Sequence, residues 1–291
     1  VKYLGGKALQ DREGRGVRWG MYGEGGREAR RLPASSNKIT TLAGGGDWVC
    51  GGLGDGTITV WNKASLEVER TLTGHKHGVE ALAVHEGWLV SGSDDKDIRV
   101  WDVRGGECVR TLEGHTGPVR ALAVSEGMLL SGSFDKTIRV WRVEGAPSTW
   151  RCERTLTMGN EVCNCLGWWG GQAVSGHGSG AIRVWDLSTG ECVRTLQGHT
   201  KAVTALVVRE GRLMSASEDK SVREWCLESG ACVKVVQAYP AESPQYICCL
   251  AVSGRKLVGG SHSRNSDSEC EVVVWDLDTW AEEQRLKQPA G

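Results

Sequence analysis

A 40-residue pattern limits what this chain can fold into. The stretch from Thr71 to Leu112 reads TLTGHKHGVEALAVHEGWLVSGSDDKDIRVWDVRGGECVRTL, its last two residues opening the next copy, which starts on Thr111 as TLEGHTGPVRALAVSEGMLLSGSFDKTIRVW. A unit of that length cannot enclose a core of its own, so its copies must stack on one another. Counted by the tryptophan closing the third apolar run, the copies fall at Trp61, Trp101, Trp141, Trp185, Trp225 and Trp275, with gaps of 40, 40, 44, 40 and 50 residues. A seventh is expected at Trp19. The stretch EARRLPASSNKITTLA, ending at Ala43, aligns with CVRTLEGHTGPVRALA, so residues 28–32 read as the last strand of an eroded first unit.

Within a copy, ALAV, MLLSGS, TIRVW and CVRTL are short runs rich in Val, Ile, Leu and Trp between Gly, Asp and Ser turns, the pattern of β-strands. Each copy is expected to be a four-stranded antiparallel meander, strands a to d. The first two strands are apolar almost throughout and suit burial on both faces, while CVRTL alternates and suits a wetted edge. Strand a is therefore innermost and strand d outermost. Sheets that must bury both faces close most simply into a ring.

Gly74-His75, Ser91-Gly92-Ser93, Asp95 and Trp101-Asp102 resemble the WD40 repeat, and the resemblance extends over residues 28 to 286. It implies an all-β WD40 β-propeller serving as a protein-interaction platform, most commonly with seven blades; the alternative is six blades with an N-terminal extension. The expected organisation is a single propeller over residues 1–291. It comprises a degenerate first blade at 1–32, blades two to seven at 33–72, 73–112, 113–156, 157–196, 197–236 and 237–286, and a tail at 287–291. The short turn between strands a and b and the GECVRTLxGH run look closest to the WD40 domains of ubiquitin-ligase substrate receptors and of kinases with C-terminal propellers.

His75, Ser91, Asp95 and Trp101 recur as His115, Ser131, Asp135, Trp141 and as His199, Ser215, Asp219, Trp225. A Ser, a His and an Asp in fixed relation can form a hydrolase triad. Three copies of one triad argue against an enzyme, and the family resemblance implies a structural hydrogen-bonded chain in which the donor-only indole nitrogen is satisfied. Other copies depart from the pattern. Ser35-Ser36 replace Gly-His before Trp61, Met158-Gly159-Asn160 replace it before Trp185, Ser179 stands for Asp, and Glu269 falls where the last Asp would be. Those three blades are expected to be held less tightly. Gly92, Gly132 and Gly176, inside strand b, point to close approach of a neighbouring sheet. Arg99, Arg139, Arg183 and Arg223 are expected to pair with local carboxylates.

Composition narrows the function classes. With 35 Lys plus Arg against 36 Asp plus Glu, the net charge of -1 gives no basis for a phosphate-backbone partner. No run of eighteen apolar residues suggests a membrane span, and the first thirty residues lack a signal-peptide pattern. Of the eleven cysteines, Cys108, Cys192 and Cys232 fall at equivalent sites too far apart to bridge; with the odd total and no paired metal-ligand spacing, the cysteines read as thiols in a reducing compartment, cytoplasmic or nuclear. No catalytic residue, metal or cofactor is expected. A chain beginning on Val1 reads as a fragment or processed form.

Function is thus sought where the copies differ. In a meander the d-to-a loop and the b-to-c turn share one end of the ring, the top. The last copy carries about four extra residues around Ala238 to Gln245 and about six around His262 to Glu269, both on that end. Long loops on a rigid scaffold commonly bind partners. Phe134, the single phenylalanine, replaces an acid found as Asp94 and Glu218 in sister turns, and a lone aromatic among acids suits an anchor. Glu80, Arg120 and Thr204 follow the first apolar residue of strand a, where WD40 domains commonly meet partners. With Tyr239, Tyr246 and Arg264 from the enlarged loops, these form the candidate partner-binding set. The leading expectation is a non-enzymatic scaffold for a protein or peptide. The rival is the substrate-recognition part of a larger ubiquitin ligase or kinase. A methyl-lysine reader would need an aromatic cage from Trp48, Trp88, Trp168 and Trp169.

Overall fold

A computed structural model describes residues 39–125, 127–263 and 270–287 throughout, together with the backbone of Gly6–Lys7, Val17–Gly20 and Ala29–Leu32. Six four-stranded antiparallel meanders follow one another along the chain, here blades I to VI, at residues 39–72, 79–112, 119–157, 163–196, 203–237 and 245–287. The six-bladed arrangement is therefore the one adopted among the described residues, in place of the seven blades first expected. Within residues 1–32 the described strands do not form a four-stranded sheet. Gly6–Lys7 pairs with the inner strand Ile39–Gly45 of blade I, and Val17–Gly20 pairs separately with Ala29–Leu32. That hairpin pairs Val17 with Leu32 and Trp19 with Arg30, whereas blade II pairs Ile98 with Leu112 and Trp101 with Cys108 across a register shift.

Inner strands of successive blades pack side by side, and Gly6–Lys7 lies against the inner strands of both blade I and blade VI. The core is divided among blade interfaces. One cluster joins Val90, Ile98, Val100 and Leu112 of blade II to Val119, Leu129 and Trp141 of blade III. The strand-b glycines explain the closeness: a Cβ on Gly92 would lie 2.6 Å from Val119 Cγ1, and one on Gly132 would lie 2.4 Å from Cys163 Sγ. Any larger side chain there would push the next blade away. Burial drives the Cys50 and Cys163 thiols well above the ordinary range.

Arginines on outer strands clasp the next blade at the end opposite the top. Arg154 donates to Thr189 O at 2.7 Å and Ser188 O at 2.8 Å, and Arg194 reaches Leu227 O and Glu228 O. Between blades V and VI the clasp reverses. Trp280 Nε1 of blade VI donates to the buried Glu224 at 3.0 Å, and Arg212 pairs with the other oxygen at 2.8 Å. The c-to-d insertion of blade III folds inward, so that Trp150 is buried and meets His85 edge-on at 5.7 Å.

Candidate functional site

Three blades carry the same polar chain. In blade II, Trp101 Nε1 donates to Ser91 Oγ at 2.8 Å, Ser91 Oγ lies 2.7 Å from His75 Nε2, and His75 Nδ1 lies 2.8 Å from Asp95 Oδ2. Blades III and V repeat it through Trp141, Ser131, His115, Asp135 and through Trp225, Ser215, His199, Asp219. Burial opposes ionisation of Asp95 and Asp219, yet the histidine hydrogen bonds and backbone N–H donors hold both carboxyls well below the usual range. Serine and histidine are buried and committed to neighbours on both sides. As a chemical device the chain ties the loop between blades to the b-to-c turn.

The other three blades each solve the problem differently. In blade IV, Trp185 Nε1 still donates to Ser175 at 2.8 Å, and Ser175 pairs at 2.7 Å with His177, two residues further along the same strand. Sister blades have Ser93, Ser133 and Ser217 at that place. Blade IV therefore keeps the Trp–Ser link and takes its histidine from strand b, in place of the Gly-His missing before Trp185; the signal was the SGH in place of SGS. In blade I, Gly51 takes the serine position under Trp61, whose buried Nε1 has no partner among the described residues. Blade VI has Gly259 under Trp275, while Tyr239 stands where blades II, III and V have histidine, and its hydroxyl donates to buried Glu271 at 3.2 Å. Arg285 completes this group, donating to Glu271 at 2.8 Å with its guanidinium 5.0 Å from the Tyr239 ring centre. Burial, with the Glu271 charge adding to it, pushes the Tyr239 hydroxyl up to about 12.

Four of the nine candidate partner-binding residues meet on the top face. Arg120 of blade III places Nη1 2.9 Å from Glu80 and Nη2 2.9 Å from Asp94, both from blade II. Its guanidinium carbon lies 5.1 Å from the centre of the Phe134 ring, which is 41% exposed. The turns holding Asp94 and Phe134 are fixed by backbone bonds to Gly78 O and Pro118 O, both 2.9 Å. Glu218 is held alike by Ala202 O, but on blade V.

The remaining candidates do other things. Thr204 donates to Ile247 O at 2.7 Å and so closes the seam between blades V and VI. Tyr239 is buried and lines a cavity of about 300 Å³ with Glu271 and Arg285. Tyr246 packs on His262 at 5.6 Å, on the part of the blade VI hairpin that extends two pairs beyond its sisters. Arg264 lies outside the described residues, as do Glu269 and Ser35-Ser36. Trp48, Trp88, Trp168 and Trp169 each pack on a different core cluster, so they do not converge on one cage. Of the repeated arginines, Arg183 does pair closely with a carboxylate, Glu161 at 3.1 Å. Arg139 instead donates to Gly114 O at 2.7 Å, and Arg99 approaches Asp97 only to 3.8 Å. The expected carboxylate pairing thus fails for Arg139, because the nearer acceptor is the carbonyl beside the tetrad histidine.

Comparison with known proteins follows the same division. The family described as WD domain, G-beta repeat matches residues 66–102, 106–142 and 190–226. These stretches end in the third strands of blades II, III and V, the blades with complete polar chains. Among solved structures, the chain is similar to the computationally designed Ika8 protein (crystal packing No. 1 in P63). The identity is 25% and the TM-score 0.72, over 98% of this chain and 87% of that one. No curated protein matches. Repeats of this kind generally build non-catalytic platforms for protein interaction. Among the described residues no helix is long and apolar enough to cross a membrane.

Proposed function

Because the chain is a WD40-repeat β-propeller, we propose that it is a non-enzymatic scaffold that binds a protein or peptide on the top face, over the joint between blades II and III. The observation carrying this reading is the Glu80–Arg120–Asp94 bridge beside an exposed Phe134. A large apolar ring on a rigid turn loses little entropy on binding, and the flanking charges fix orientation. The tetrad residues are assigned to structure, since their polar atoms are already engaged with one another.

The narrower reading, a substrate-recognition domain for a phosphorylated degron, calls for arginines at the top turns. Those positions are Asp94, Phe134 and Glu218, and a dianionic phosphate would meet like charge there. The test is affinity capture with the wild-type chain, with Phe134→Ala, and with the 238–245 loop shortened. Phe134→Ala is expected to lose the wild-type partners. Recovery of the same partners at the same yield by both variants would remove the top-face proposal.

A further inference from the structure

The second residue of the inner strand in blades I to V, and the fourth in blade VI, sits at a β-bulge, where the pairing register shifts. Six side chains occupy this position around the top: Thr40, Glu80, Arg120, Asn164, Thr204 and Cys248. Three neutral ones share a task. Thr40 donates to Val79 O, Asn164 donates to Val203 O at 3.2 Å, and Thr204 donates to Ile247 O at 2.7 Å, each sealing the joint to the following blade. The two charged ones, Glu80 and Arg120, are instead joined to each other, with Asp94 and Phe134 around them.

Arg120 is thus a cation held between two carboxylates and over an aromatic ring. That is the environment a protein builds to bind a guanidinium or ammonium group, because the ring face and the carboxylates all present negative potential to it. The cluster carries two acids and one base, so it stays one charge negative with Arg120 in place. Its members are not sealed from water: the side chains of Arg120 and Asp94 are 28% and 30% exposed. An incoming cation can therefore reach Asp94 and the outer part of the Phe134 ring.

Resting on the top-face reading above, we infer that Arg120 is a resident occupant of a cation site, and that the partner is a peptide inserting an arginine or lysine beside an apolar residue. The partner's cation takes Asp94 and the ring while its apolar neighbour covers Phe134. Arg120 competes for the same groups and retreats toward Glu80. It weakens binding and discriminates against single weak cations, in the manner of a built-in competitor.

The test uses two fluorescein-labelled peptides, Gly-Leu-Arg-Leu-Gly and Gly-Leu-Glu-Leu-Gly, titrated by anisotropy against the wild-type chain and four variants at low ionic strength. Arg120→Ala and Arg120→Gln are expected to bind the arginine peptide roughly fivefold tighter than wild type, and Asp94→Asn and Phe134→Ala roughly fivefold weaker. Tighter binding by both Arg120 variants separates loss of a competitor from local unfolding, which would weaken it. The inference falls if Arg120 substitution weakens or leaves unchanged the binding of the arginine peptide. It falls equally if the glutamate peptide binds better, or if neither peptide binds. Capture of partners that depends on Phe134, with no gain on removing Arg120, would overturn this inference and leave the top-face function standing. Capture indifferent to Phe134 would overturn this inference, and capture indifferent to the shortened 238–245 loop as well would overturn the top-face function with it.

Discussion

Blade III and blade VI use the same strand order and bury the same tryptophan, yet they satisfy their polar interiors in opposite ways. Blade III threads Trp141, Ser131, His115 and Asp135 into one chain of bonds between 2.7 and 2.8 Å. Blade VI drops the serine for Gly259, moves the tryptophan ring down onto it, and rebuilds the loop tie from Tyr239, Glu271 and Arg285. The inter-blade loop is tied to its sheet in both blades, but the tie need not be one chemistry. The difference teaches that a degraded repeat can keep a polar tie built from other residues.

The comparison can be broken most directly at its centre. Ser131→Ala leaves the Trp141 N–H and the His115 ring nitrogen without their shared partner in a buried site, which costs about 2 to 4 kcal/mol. In blade VI the corresponding cut, Tyr239→Phe, removes one hydroxyl and costs about 1 kcal/mol. Urea midpoints measured side by side give the ranking. Equal losses would mean that the two ties are equivalent.

Titration separates blades III and IV from blade VI by sign. Burial pushes His115 and His177 below their ordinary 6.5, against the pull of Asp135 and Glu161. The unfolded chain then takes up those protons first, and stability is lost as pH falls below about 6.5. Asp135 adds a second loss with the same sign. Burial disfavours its charge, but hydrogen bonds from Thr137 and His115 hold it below 3.8, so its contribution is full above that pH and declines below it. Tyr239 acts at the other end. Its hydroxyl, raised to about 12 from 10, stays protonated in the folded blade while the unfolded chain ionises, so stability falls as pH rises above 10. Urea midpoints between pH 9 and 11 should decline in the wild type and decline less in Tyr239→Phe. An unchanged slope in the variant would assign the alkaline loss elsewhere.

The smallest effect is expected at blade I. Trp61 and Trp141 are both buried, but among the described residues only Trp141 has a partner for its indole nitrogen. Trp61→Phe should therefore destabilise less than Trp141→Phe, by about 1 kcal/mol, since the lost volume is the same and the hydrogen bond is not. If Trp61→Phe costs more, another group satisfies that nitrogen.

Much of this was legible beforehand. The 40-residue spacing yields the four-stranded blades, and the recurring His, Ser, Asp and Trp mark blades II, III and V. The cluster at Glu80, Asp94, Arg120 and Phe134 was visible only as scattered candidates, because nothing in a linear sequence brings a bulge residue of one blade against the turn of another. The same limit hid the Glu224–Trp280 lock and the Tyr239–Glu271–Arg285 group, whose members come from separate strands. His177 was within reach, since SGH departs from SGS at a fixed offset.

What the sequence alone determined is the repeat unit, its strand order and the positions that must be small, because period-two patterning and turn residues act over a few neighbours. The tertiary structure decided how many complete blades stand in the ring, which partner satisfies each buried polar group, and which top-face charges meet. Those outcomes depend on distances between blades, and such distances are set only when the sheets pack face to face.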